Sequence, residues 1–294
     1  MKRGTQIAGA RVLITGAGSG IGRLMALDSA ARGAAEILIW DLSEERGQSV
    51  RDEIVATGSH ARSFAVNVGD SDQVADAAEE AGPVDVVINC AGIVTGKKLL
   101  ETDEDAIRRV YDVNTLALYW VTRAFLPGML KRDRGTIVTI SSAAGLTGVA
   151  RQTDYSASKF AAVGFTESLR AELRADGSNV RTLLVCPFYI NTGMFEGVTT
   201  KFPRLLPILE ETEVADKVIN SVESGREQLV MPPFVRFVPG VRLLPTRVFD
   251  QVMDFLGVNK TMDHFTGRRP VTAGPDTASP ASELNDADPV RARR

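Results

Sequence analysis

The chain has 294 residues, of which 44% are hydrophobic and 24% charged, and its net charge is −3. That length suits one α/β domain or two smaller ones, and the scattered charge excludes the basic footprint of a nucleic-acid binder. The N-terminal MKRGTQIAGARVLIT lacks the apolar stretch of a secretory signal, and no apolar run approaches the roughly 18 residues of a membrane span, so the expectation is a soluble, cytoplasmic protein.

Short apolar runs alternate with longer amphipathic ones. RVLIT (11–15) predicts a buried strand, followed by a helix from Gly20 to about Arg32. EILIWD (36–41) predicts a second strand and Ser43 to about Ala56 a helix; ARSFAV (61–66) and a helix from Ser71 to Glu80 follow. VDVVIN (84–89) is a fourth strand, and helical patterning then runs from about Asp103 to Lys131. GTIVTI (135–140), a helix over Thr153–Ala175, VRTLLV (180–185), a helix over Glu213–Ser224 and EQLVM (227–231) complete the series. Strands that are apolar throughout and separated by helices imply βαβ units with both sheet faces covered. The predicted fold is a doubly wound, seven-stranded parallel sheet with helices on both faces. The expected organisation is a dinucleotide-binding and catalytic unit over 1–232, an apolar extension over 233–267, and a disordered tail over 268–294, rich in Pro, Ala, Ser, Thr and Asp.

TGAGSGIG (15–22) lies where the first strand meets the first helix. Glycines there permit a tight turn and let backbone approach a pyrophosphate at the positive end of the helix; a bare strand–helix junction is the plainer alternative. The spacing is T-G-x-x-x-G-x-G, because G-x-G-x-x-G would need a glycine at Ile21. Asp41, ending the second strand, can accept hydrogen bonds from a ribose diol and repels a 2′-phosphate. Ser19 and Leu42 flank that corner and supply no cation, so NAD is expected rather than NADP. Asp41 could instead cap the helix near Ser43, a role Ser43 can fill alone. The two cysteines, Cys90 and Cys186, sit in apolar strand-like runs and read as reduced, buried thiols. His60 and His264 have no second ligand at metal-site spacing, so no metal is expected.

Tyr155 and Lys159, in DYSASKFAAVGF (154–165), are four residues apart and share one helix face. A tyrosine near pKa 10 is a poor proton exchanger at neutrality, and a neighbouring ammonium favours the phenolate. Taken alone, Y-x-x-x-K is common on solvated helices. It is accompanied here by TISSAAG (139–145), which ends the fifth strand and carries Ser142, by NCAG (89–92) and by DVN (112–114).

These five motifs, in this order, resemble the short-chain dehydrogenase/reductases over about residues 9–232. The resemblance implies a single Rossmann domain with a nicotinamide cofactor and a catalytic tetrad of Asn114, Ser142, Tyr155 and Lys159. In that reading Ser142 holds the substrate oxygen, Tyr155 exchanges its proton, Lys159 lowers the tyrosine pKa and binds the nicotinamide ribose, and Asn114 supports a water leading to Lys159. The implied cofactor contacts are Gly16, Ser19, Gly20, Ile21, Gly22, Asp41, Leu42, Asn67, Val68, Asn89, Ala91, Gly92, Tyr155, Lys159, Pro187, Ile190 and Thr192. CPFYINT (186–192) is similar to the family's P-G-x-V-x-T segment, with Phe188 in place of glycine, and Asn67 stands where an aspartate is common. An amide oxygen can still meet the adenine amine.

Residues 190–210 contribute Met194, Phe195, Phe202, Leu205, Leu206 and Leu209, which with LVMPPFVRFVPGVRLLP predict an apolar pocket and an apolar outer surface suited to peripheral membrane contact. Core packing or a dimer contact is the alternative use. CPFYINTGMFEGV with FLGVNKTMDHFTGR resembles the retinol dehydrogenase and lipid-droplet 17β-hydroxysteroid dehydrogenase branch, without that branch's N-terminal membrane anchor. The resemblance implies a small apolar alcohol or carbonyl substrate and a homodimer or homotetramer built through the helices around Asn114 and Tyr155. An NADPH-dependent carbonyl or 3-oxoacyl thioester reductase is the runner-up, and a non-catalytic nucleotide-binding scaffold the remote alternative.

Overall fold

A computed structural model describes residues 4–267; the tail expected over 268–294 lies outside the described residues. Seven parallel strands, β1 (Arg11–Thr15), β2 (Glu36–Asp41), β3 (Ala61–Ala65), β4 (Val86–Asn89), β5 (Thr136–Ile140), β6 (Arg181–Pro187) and β7 (Gln228–Met231), lie in the order 3-2-1-4-5-6-7. Both faces are buried, which is why the strands need no polar alternation. Successive residues of β1 serve opposite cores. Val12 and Ile14 pack with Met25, Val218 and Ile219, whereas Leu13 packs with Trp40, Val74, Val121 and Leu169.

The helices are α1 (Gly20–Ala31), α2 (Glu44–Ala56), α3 (Ser71–Ala81), α4 (Glu104–Tyr111), α5 (Ala117–Arg132), α6 (Thr153–Ala175), α7 (Glu211–Ser224) and two short ones, α8 (Val238–Val241) and α9 (Thr246–Phe255). Their starts follow from local chemistry. Ser43 Oγ accepts from Arg46 N, and Asp70 accepts from Asp72 N and Gln73 N, filling donors that a helix start leaves unpaired. Ser43, not Asp41, is therefore the cap of α2. Helix α1 buries Gly22, Met25, Ala26, Ser29 and Ala30 along one face. Arg32 ties its end to Asp28 and, on α7, to Asp216 and Glu223, at 3.0, 2.7 and 2.9 Å.

The single helix expected over 103–131 is interrupted. Between α4 and α5, residues Asp112–Leu116 form one wide π turn carrying Asn114. Such insertions are typical of functional sites. From β3 at one edge the chain crosses back to β4, on the other side of β1, so the sheet order reverses between β1 and β4. The crevice at the carboxyl ends of those two strands is where open α/β sheets bind ligands.

Candidate active site

The loop after β1 and the loop after β4 meet in that crevice. Gly16 adopts φ +67°, and a Cβ there would lie 2.9 Å from Ala91 Cα. A Cβ on Gly22 would strike the carbonyl oxygen of Gly16. Only bare backbone fits, leaving a cradle open toward the N-terminus of α1, where unpaired N–H groups favour an anion. Thr15 Oγ1 joins the two loops by accepting from Cys90 N and Ala91 N, each at 3.0 Å. Across the crevice, Thr192 packs against Gly20: a Cβ on Gly20 would meet the Thr192 side chain at 3.5 Å.

Gly16, Ser19, Gly20, Ile21, Gly22, Asp41, Leu42, Asn67, Val68, Ala91, Gly92, Ser142, Tyr155, Lys159, Pro187, Ile190 and Thr192 all line one continuous pocket. Two of the sequence-derived residues do not. Asn89 is buried in β4, where its Nδ2 has no partner among the described residues. Asn114 stands behind the wall, holding it: its Oδ1 accepts from Ile93 N and its Nδ2 donates to Ile93 O, both at 2.9 Å, and to Ser158 Oγ at 3.0 Å. A Cβ on Gly92 would lie 3.4 Å from Asn114 Oδ1 and 3.5 Å from Lys159 Nζ, so the amide and the ammonium flank one glycine.

At the Asp41 corner the sequence reading needs correction. Asp41 accepts from Gly18 N and Ser43 N, both at 2.9 Å, and also from Arg46 Nη2 at 3.2 Å. Arg46 lines the pocket, so a cation does stand beside this acid. It was missed because it belongs to the first turn of α2, five residues past Asp41, and a long side chain reaches back over that turn. Asn67 Oδ1 already accepts from Gly69 N at 3.1 Å and keeps one lone pair for a ligand.

Ser142, at the end of β5, accepts from Ala144 N at 3.1 Å and reaches Pro187 O at 3.5 Å. Tyr155 and Lys159 project from the first two turns of α6. Burial pushes the Tyr155 phenol well above its ordinary value, while hydrogen bonding with Ser142 works the other way. Lys159 Nζ donates to Ile140 O at 2.9 Å and lies 5.7 Å from the centre of the Tyr155 ring. Burial itself lowers the Lys159 ammonium from 10.5 to about 8. Cys90 and Cys186 are free thiols pushed up to about 12 by burial, too high for nucleophilic use.

The depressed Lys159 pKa has a measurable consequence. Below pH 8 the ammonium is charged in both states, and its burial costs about 3 kcal/mol, the equivalent of the gap between 10.5 and about 8. Between pH 8 and 10.5 the unfolded chain binds more protons, so stability rises with pH through that window. Urea unfolding should therefore show wild type gaining about 2–3 kcal/mol on Lys159→Met between pH 7 and 10. A difference that stays constant with pH would refute the buried ammonium.

Beyond Ser142 the pocket becomes apolar. Its wall there includes Val149, Phe188, Met194, Phe195 and Leu206, and from the extension Phe234, Val235, Val238, Met253, Leu256 and Val258; the whole pocket, glycine-loop crevice included, holds about 290 Å³. The apolar segment 190–210 thus divides its work: Met194, Phe195 and Leu206 line the pocket, whereas Phe202 packs on Phe255 with ring centres 5.7 Å apart. Gln152 and Tyr189, which sequence reading passed over, also face this chamber. No helix among the described residues is long and apolar enough to cross a membrane.

The description "short chain dehydrogenase" matches residues 10–202. Epidermal retinol dehydrogenase 2 of Mus musculus is 40% identical over 273 residues, covering 90% of this chain and 88% of its own. Estradiol 17-beta-dehydrogenase 11 of Mus musculus is 37% identical, covering 86% and 85%. Among solved structures, a short chain dehydrogenase/reductase from Burkholderia phymatum in complex with NAD aligns with TM-score 0.74 at 27% identity, over 81% of this chain and 94% of that one. A metagenomic short-chain oxidoreductase in complex with NADP aligns with TM-score 0.63 at 29% identity, over 77% and 96%. Sequence and architecture agree, and the chain belongs to the short-chain dehydrogenase/reductase family of nicotinamide-dependent oxidoreductases, on the branch of the retinol and 17β-hydroxysteroid dehydrogenases.

Proposed function

We propose that this protein is an NAD-dependent dehydrogenase interconverting an apolar alcohol, of lipid, steroid, retinoid or terpenoid type, with its ketone or aldehyde. The observation that carries the proposal is the position of Ser142, Tyr155 and Lys159 in one pocket, between a glycine cradle and an apolar chamber. The cradle fits a dinucleotide because side chains are sterically excluded where a pyrophosphate would approach. Gly16, Ser19, Gly20, Ile21 and Gly22 would hold the phosphates, Asp41 and Leu42 the adenosine ribose, Asn67 and Val68 the adenine, and Pro187, Ile190 and Thr192 the nicotinamide. Asn89, Ala91 and Gly92 would back the crevice from β4. A nicotinamide cofactor held by these residues would supply the hydride-transfer chemistry, in either direction.

The chain's own groups handle the proton. Ser142 Oγ holds the substrate oxygen next to Tyr155, which takes the hydroxyl proton in oxidation and returns it in reduction. Lys159 places a positive charge behind the phenol and binds the nicotinamide ribose. Asn114 and Lys159 flank Gly92 closely enough for one bridging water to connect them. The exposed apolar residues Leu116 and Tyr119 on the Asn114 side support self-association, and exposed Phe237, Leu243, Leu244 and Phe255 beside Arg236 and Arg242 support peripheral membrane contact.

Arg46 favours a second reading, an NADPH-dependent carbonyl or 3-oxoacyl thioester reductase. Asp41 keeps that guanidinium occupied, which supports NAD. Asp41→Ala should free Arg46 and shift the NADH-to-NADPH affinity ratio toward NADPH by about ten- to a hundredfold, the worth of one charge-assisted hydrogen bond. Fluorescence titration with both cofactors measures it, and an unchanged ratio would remove Asp41 from cofactor selection. The test of the whole proposal is a NAD-reduction screen over steroid, retinoid, terpenoid and aliphatic alcohols, in which no turnover with any class would overturn it.

A further inference from the structure

Among the polar groups of the apolar chamber that the proton chemistry leaves unused is the Gln152 amide. Gln152 immediately precedes α6, three residues before Tyr155, and is 1% exposed. Its Nε2 donates to Tyr189 Oη at 3.2 Å, Tyr189 Oη lies 2.8 Å from Thr261 Oγ1, and Thr261 Oγ1 donates to Val258 O at 2.8 Å. The direction of this relay is fixed at its far end. The Thr261 proton is committed to a carbonyl, so Tyr189 donates to Thr261 and accepts from Gln152. The amide NH₂ of Gln152 therefore points at Tyr189. That is the only hydrogen bond of the Gln152 side chain among the described residues, which leaves Oε1 and the second N–H for a ligand.

A polar amide set in an otherwise apolar wall is costly unless it finds partners, and a wall that only excluded water would favour an aliphatic residue there. Here the amide is instead held in place. Tyr189 stacks edge-on with Phe188 and Phe195, with ring centres 4.7 and 5.1 Å apart, and Phe195 meets the Tyr155 ring at 5.8 Å. Aromatic rings thus span the distance from the amide to the reacting phenol.

We infer that Gln152 determines specificity by anchoring a second oxygen function, a hydroxyl or oxo group, on an otherwise apolar alcohol. The inference rests on the dehydrogenase reading for the identity of the reacting group. The Tyr189 and Phe195 rings lie between the amide and the Tyr155 phenol, with successive ring centres 5.1 and 5.8 Å apart, so the two oxygens of the substrate are separated by several bonds rather than vicinal. A single fitted hydrogen bond of this kind is worth about tenfold in affinity.

The test uses a shape-matched pair, 4-tert-butylcyclohexanol and 4-(2-hydroxypropan-2-yl)cyclohexanol, in which the added tertiary hydroxyl cannot be oxidised. Binding to the NADH-loaded full chain is read by titration calorimetry, and turnover separately by NADH absorbance. Wild type should bind the diol about tenfold more tightly, and Gln152→Leu should lose that preference while still binding the mono-alcohol. Gln152→Glu keeps an acceptor and should retain preference for the diol, which serves if the leucine variant fails to fold. Equal binding of both compounds by wild type, including failure of both to bind, or an equal change for both in Gln152→Leu, overturns the inference. A binding preference without turnover of either compound keeps the anchor, and the dehydrogenase reading is then overturned only if the alcohol screen also yields no turnover.

Discussion

Tyr155→Phe should lower the turnover of any alcohol oxidised by this enzyme by about 10³-fold, within the range that a positioned general acid/base contributes. NADH affinity should be essentially unchanged. The two effects separate because phenylalanine keeps the buried ring and its edge contact with Phe195 at 5.8 Å, and loses only the hydroxyl that hydrogen-bonds with Ser142. Burial holds the proton on that phenol, so no other group in the pocket is as well placed beside Ser142 to exchange it. Steady-state turnover read by NADH absorbance, paired with fluorescence titration of NADH, measures both effects. Turnover retained within tenfold would exclude Tyr155 as the proton-exchanging group.

Asn114→Leu should be the most destabilising change near the site. Asn114 is 1% exposed and satisfies both backbone groups of Ile93. Leucine fills similar space but leaves that N–H and C=O unpaired, a cost of about 2–4 kcal/mol. Ser158 loses less, because its hydroxyl still donates to Tyr155 O at 2.8 Å. A fall of that size corresponds to roughly 6–12 °C in melting temperature for a domain of this size. Calorimetry and urea unfolding measure it, and a loss below about 1 kcal/mol would mean that the π turn is held by other contacts. Activity should fall further than stability explains, since the same amide places Gly92 beside Lys159.

The framework was legible because its signals are local. Strand β1 and its neighbours are apolar throughout since both faces are buried, and α6 occupies the expected Thr153–Ala175. The glycine loop, Ser142, Tyr155 and Lys159 were legible because spacing along one element fixes where they stand. What was missed depends on contacts between segments. The π turn at 112–116 is invisible to a 3.6-residue period, because what draws Asn114 out of register is the backbone of Ile93, on another loop. Arg46 reaches Asp41 only once α2 has docked. The Gln152–Tyr189–Thr261 relay joins three stretches of chain, and none carries a pattern by itself. The hydrogen bond from Lys159 to Ile140 O, which fixes where the ammonium sits, likewise joins two segments.

The outer wall of the chamber has an implication for how such enzymes diverge. Phe234, Val238, Met253, Leu256 and Val258 come from residues after β7, pinned by Arg242 to Leu146 O and by Tyr189 to Thr261. The groups assigned here to cofactor and proton all come from earlier in the chain. The outer part of the substrate-facing wall is therefore inherited on a separate stretch of sequence from the chemistry, whereas Gln152, Phe188, Tyr189 and Phe195 travel with the catalytic groups. Exchanging the last 35 described residues, 233–267, can retune which alcohol enters while the hydride and proton machinery passes on unaltered.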